Sequence, residues 1–121
     1  MLSIEIAKKL KDAGLVWEPA FGDLFYCQDD DRWEKSVLAE QDTQEATHQI
    51  HECIADWVFA PRLEQLLAAI EKRGYKVESM QDACYIFHPQ KSSRWQEFLA
   101  ENRIEAAAQA LLWVLERRTA E

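Results

Sequence analysis

Residues 63–78 read LEQLLAAIEKRGYKVE, and this stretch decides how the rest of the chain is parsed. Leu63, Leu66, Leu67 and Ile70 recur at i, i+3, i+4 and i+7, which is one face of a helix. Pro61 stands just ahead of them, where its missing N–H would be unpaired in any case. Gly74, after Arg73, supplies the left-handed residue that ends a helix. Tyr75-Lys76-Val77-Glu78 then predicts a short extended run. The same succession occurs at 3–18 as SIEIAKKLKDAGLVWE, with Gly14 over Gly74 and Glu18 over Glu78. There Ser3 is the predicted N-cap, Ile6, Ala7 and Leu10 the apolar face, and Leu15-Val16-Trp17-Glu18 the extended run.

The likeness continues outward. VLAEQDTQEATHQI (37–50) is matched by FLAENRIEAAAQA (98–110), and Arg32-Trp33 by Arg94-Trp95. The offset drifts between 60 and 62, so insertions in a polar loop, a strand and a turn are implied. Leu24–Cys27 and Cys84–Phe87 are aromatic-rich and too short for helices. Polar turns follow them at Asp29-Asp30-Asp31 and 89–93, and a third strand is predicted around Val37-Leu38-Ala39 and Phe98-Leu99-Ala100. Capping boxes, Asp42 with Glu45 and Asn102 with Glu105, then open a closing helix in each half. The fold expected is therefore α+β: two αβββα repeats, 1–60 and 61–121, forming one pseudo-symmetric domain with antiparallel sheet covered by helices. One sheet or two is left open.

The C-terminal helix carries Ile104, Ala107, Ala108, Leu111 and Leu115 on one side, and Leu112, Trp113 and Val114 widen that stripe. Such a helix is central between layers or lies at an interface, and a homodimer through it is expected.

Composition bounds the function. Half the 121 residues are apolar (48%) and 30% are charged, which is globular composition. Residues 1–60 hold 5 Lys/Arg against 13 Asp/Glu, while 61–121 hold 9 of each, so the net −8 sits in the N-terminal half. That balance disfavours anionic lipid and the phosphate backbone. Cys27, Cys53 and Cys84 have no close spacing, so free thiols in a reducing cytoplasm and no disulfide are expected. No secretory signal or membrane span is read at the N-terminus or elsewhere.

The constellations that carry chemistry are thin. Glu45, His48, His51 and Cys53 share a predicted helix at 43–57, and Glu-x-x-His is half of a di-iron ligand set. The second Glu-x-x-His is missing, the repeat puts Ala108 and Leu111 opposite the two histidines, and a zinc site would lack a paired ligand. Asp29-Asp30-Asp31 lacks the glycine and distal Glu of a calcium loop and reads as a solvated hairpin turn. His88, beside Pro89, is incidental at a strand end. Three isolated glycines make no phosphate loop, and no nucleophile motif is present. No residue is assigned as catalytic, cofactor-binding or metal-ligating. The five tryptophans read mostly as core filling, with Trp33 and Trp95 the candidates for surface contacts because each follows Arg beside a polar loop.

The segment WVFAPRLEQLL at 57–67, continuing through Ile70-Glu71-Lys72-Arg73-Gly74-Tyr75, resembles a group of small uncharacterised proteins of Firmicute genomes and prophages. The stretch EAAAQALLW at 105–113 is similar to their C-terminal helix. The resemblance implies no activity, only a bacterial or phage accessory protein.

These readings converge on a non-enzymatic interaction or accessory factor. The rival from another class is a small enzyme with a site at the junction of the halves, using His48, His51 or an Asp of 29–31. A nucleic-acid module is suggested by αβββα order alone, and fold order does not carry function.

Overall fold

Two three-stranded antiparallel sheets, one from each half of the chain, are held together by helices in an α+β fold. The computed structural model describes residues 2–38, 57–87 and 95–120. In chain order the elements are α1 (Ile4–Asp12), β1 (Leu24–Asp29), β2 (Arg32–Val37), β3 (Val58–Phe59), α2 (Leu63–Lys72), β4 (Lys76–Ser79), β5 (Ala83–Phe87), β6 (Trp95–Leu99) and α3 (Arg103–Ala120). The predicted helix at 43–57, with its capping box at Asp42, lies outside the described residues up to position 56.

The second half has the αβββα order read from its sequence, and its sheet runs β4-β5-β6. The first half departs from it, so the expected repeat of one αβββα unit is not reproduced among the described residues. Leu15-Val16-Trp17-Glu18 is not a strand. The place beside β1 is filled by β3, which follows β2 in sequence, giving the order β2-β1-β3. Pro19 explains part of the difference, because it removes a ladder donor and restricts Glu18 before it. Trp17 supplies the rest: its ring stacks on Phe59 at 5.2 Å between centroids, on a face of the sheet and not in its ladder.

The third strands begin earlier than expected, at Arg32 and at Trp95 rather than at Val37 and Phe98. In the first half, Asp30 (φ 44°) and Asp31 (φ 67°) make the two-residue turn with both central residues left-handed that suits a tight hairpin. Asp29 therefore pairs with Arg32 at once, and backbone pairing carries charged residues into the strand.

The main core draws on both halves: Leu2, Ala7 and Leu10, Tyr26, Val58 and Ala60, Leu66 and Ile70, Cys84 and Ile86, and the long stripe of α3. Ala106, Ala107, Ala108, Ala110, Leu111 and Val114 are all fully buried. The helix α3 packs against α1, α2, β5 and β6, so its apolar stripe is covered largely within the chain. Leu112 and Trp113 are half-buried, and Trp113 meets Tyr75 and Phe98 edge-on. A smaller cluster, Phe25 and Leu38 with Trp17, Cys27 and Trp57, covers the other face of the first sheet. No helix among the described residues is long and apolar enough to cross a membrane.

One buried carboxylate ties the halves together. Asp23 is 2% exposed; its Oδ2 accepts from Trp17 Nε1 and from the Ala20 N–H, both at 2.9 Å, and its Oδ1 from Gln65 Nε2 at 2.8 Å. Arg62 approaches Oδ1 to 4.0 Å and donates through Nη1 to the Gly22 carbonyl at 2.9 Å. Gln65 Oε1 in turn accepts from the Arg62 N–H at the start of α2. Three hydrogen bonds and the nearby Arg62 cation thus compensate Asp23, which is the condition for burying a charge.

Candidate functional site

Side chains alternate across a strand, so β5 has two different faces. Cys84 and Ile86 point into the core, and Val77 of β4 and Phe98 of β6 pair with Ile86 and Cys84 on that inner side. Ala83, Tyr85 and Phe87 point the other way. The register fixes what surrounds them: Lys76 and Trp95 flank Phe87, Glu78 and Glu97 flank Tyr85, and Leu99 lies beside Ala83. The helices α2 and α3 pack on the inner side; on the outer side the flanking residues of β4 and β6 are exposed, while Tyr85 and Phe87 between them are half-buried and Ala83 is buried. Trp95 is 53% exposed and Leu99 62%, with Met80, 53% exposed, at the turn that leads into β5.

The grid is aromatic at its centre and acidic beside it. Tyr85 and Trp95 lie 5.9 Å apart between ring centroids, tilted by 57°. Glu97 accepts the hydrogen bond of the Tyr85 phenol and adds its negative charge, which holds the phenol proton above its ordinary 10.0; Asp82 pushes the same way. A carboxylate has acceptor sites on both oxygens, so Glu97 keeps capacity for a second donor.

The residues singled out from sequence fare differently. Trp95 is exposed as expected, but Trp33 is half-buried against the main core with Lys8 Nζ 4.5 Å above its ring. Trp17, Trp57 and Trp113 are half-buried, as core filling requires. Asp30 and Asp31 are exposed at the tip of the β1–β2 hairpin. Glu45, His48, His51, Cys53 and His88 lie outside the described residues. Among the described residues no group of three His, Cys, Asp or Glu could hold a metal ion. Cys27 and Cys84 are free thiols, and burial pushes the Cys84 thiol up from 9.0 to about 11.

Sequence reading missed the outer grid because its members belong to three strands and only the register brings them together. The alternation Ala83, Tyr85, Phe87 against Cys84, Ile86 was the available signal. It also missed Asp23, since nothing near Asp23 in sequence forecasts its partners in α2. An open groove lined by Leu15, Val16, Glu18, Ala69, Lys72 and Arg73 lies between the 15–18 segment and α2. No family model, curated protein or solved structure matches this chain.

Proposed function

We propose that this chain is a non-enzymatic protein-interaction factor whose binding surface is the outer face of the β4-β5-β6 sheet. The observation that carries the reading is the exposure of Trp95 (53%) and Leu99 (62%) on the same face as Tyr85 and Phe87. Large apolar side chains gathered on one open face mark interaction sites, and Trp and Tyr are the side chains favoured at binding hot spots. An accessory role of the kind implied by the resemblance of residues 57–75 is consistent with such a surface.

Magnitudes limit what the apolar groups can do alone. Covering the exposed halves of a Trp and a Leu contributes about 2–3 kcal/mol gross. Association costs several kcal/mol or more. The polar and charged groups of the grid must therefore supply much of the affinity and the selectivity.

A photo-crosslinking amino acid at position 99 tests this, with the same amino acid at exposed position 71 on α2 as control. Crosslinking to a discrete partner is expected at 99, absent at 71, and lost when Trp95→Ser is added to the position-99 protein. Equal crosslinking at both positions, or no effect of Trp95→Ser, contradicts the proposal.

A further inference from the structure

We infer that the occupant of this face is a protein segment that presents arginine, seated with a guanidinium over Tyr85 between Glu78 and Glu97. The inference rests on the interaction reading above and deepens it by naming the chemistry of the partner. Neighbouring strands lie about 4.8 Å apart, so the two glutamates stand about 10 Å apart at the backbone with the Tyr85 ring between them. That spacing leaves room for one planar cation over the ring, with a carboxylate in reach on either side. A guanidinium stacks on aromatic faces and donates in a fixed fork to carboxylates, whereas an ammonium does only part of this. Trp95, tilted against Tyr85, offers a second aromatic surface to the same group.

Charge around the grid points the same way. Asp82 adds negative potential at Tyr85. Lys76, the cation among the described members of the grid, stands at the corner beside Phe87, two residues from Glu78 on the same face of β4 and within its reach. An acidic segment would meet Glu78 and Glu97 directly, and like charges brought together suppress binding. Apolar Leu99 and Met80 flank the platform and suit the aliphatic stem of a long cationic side chain.

The test uses a nine-residue peptide with arginine at alternate positions and threonine between them. Alternation puts every arginine on one side of an extended segment. It is titrated into the isotope-labelled full chain beside three counterparts carrying lysine, glutamine or glutamate in place of arginine. The arginine peptide is expected to shift, saturably, the amides of Tyr85, Phe87 and Glu97 and the Trp95 indole. The lysine peptide should bind about threefold more weakly, and the glutamine and glutamate peptides should not bind. Joint replacement Glu78→Gln and Glu97→Gln should weaken the arginine peptide about tenfold while leaving the spectrum of the free protein folded. Equal binding of the glutamine or glutamate peptide at these resonances overturns the arginine assignment and leaves the interaction face standing. Shifts confined to residues 1–60, no saturable shift with any peptide, or concentration-dependent shifts of β6 in the free protein also overturn it. The last would assign the face to a second copy of the chain. The crosslinking result at position 99 is independent of all these outcomes and separates failure of this inference from failure of the surface itself.

Discussion

The backbone N–H of Ser3 donates to Oε1 of Glu105 at 2.9 Å, so the first helix is capped by a residue of the last. In a capping box the glutamate that receives the N-cap N–H sits three residues later in the same helix. Here that position is Ile6, which cannot accept, and Glu105 takes over the role from α3. Its own helix still has an N-terminal cap, because Asn102 Oδ1 accepts from the Glu105 N–H at 2.9 Å. The sequence predicted Glu105 as a local cap; the structure makes it a link between helices.

Glu105→Ala should therefore destabilise the protein by about 1–2 kcal/mol, as removal of a cap does. Ser3→Ala should cost less, because the Ser3 hydroxyl makes only a long contact, 3.4 Å, to Glu105 and does not cap α1 itself. Urea unfolding of the two variants checks the order. A larger loss for Ser3→Ala than for Glu105→Ala would contradict the cross-helix cap.

Asp23→Asn tests the buried hub. The asparagine amide carries one acceptor oxygen where the carboxylate has two, so either the Trp17 and Ala20 donors or Gln65 must lose its partner. An unsatisfied buried group of this kind costs about 1–3 kcal/mol. The loss should appear in the urea midpoint, together with a change in the Trp17 indole resonance.

Ala110→Leu probes the packing of α3. Ala110 is fully buried, and extra methylenes forced into a filled core cost about 1–3 kcal/mol. Leu112→Ala, at a half-buried position, should cost less than truncating a fully buried leucine such as Leu111. Thermal unfolding of Leu111→Ala and Leu112→Ala ranks them, and equal losses would mean that Leu112 is covered by something more than its own chain.

Two buried groups set the alkaline limit. Burial first, and then the charges of Glu105 and Glu5, raise the Tyr26 phenol above 10.0, while burial raises Cys84 from 9.0 to about 11. In both, the folded state holds the proton more tightly than the unfolded chain does. Their contribution is therefore intact below the unfolded value and is lost as pH rises through the folded one. Stability should begin to fall above pH 9 and decline through about pH 11 for Cys84, with Tyr26 adding to the loss above pH 10. Tyr26→Phe should lose about 1 kcal/mol at neutral pH, with the hydrogen bond to the Leu2 carbonyl, yet flatten the decline above pH 10. Urea unfolding across pH 7–11 reads both effects.

What was legible in the sequence was what local physics decides. The α2 helix, its glycine stop (Gly74, φ 92°) and the β4 strand follow from residues 63–78 by spacing alone. The near-identical pattern at 3–18 yields the helix and the glycine stop (Gly14, φ 99°) but no strand, since a strand exists only beside a partner. Val58 and Phe59 occupy that partner site from a distance in sequence that no local pattern reports. The exposure of Trp95 was legible from its polar neighbours. The same cue misplaced Trp33, whose ring is turned inward under Lys8 by the register of β1 and β2. The acidic and aromatic rows across Tyr85 exist only once three strands are aligned.

The position of α3 at the centre of the core governs when the chain can fold as it is made. Every other part of the core, from Leu10 in α1 to Ile86 in β5, waits for a surface that follows it in the sequence. Until then Leu2, Leu10, Leu66 and Ile70 lack the α3 side of their packing. Truncation before α3 would thus remove more than one helix. It would leave α1, α2 and the second sheet without the helix on which all of them pack.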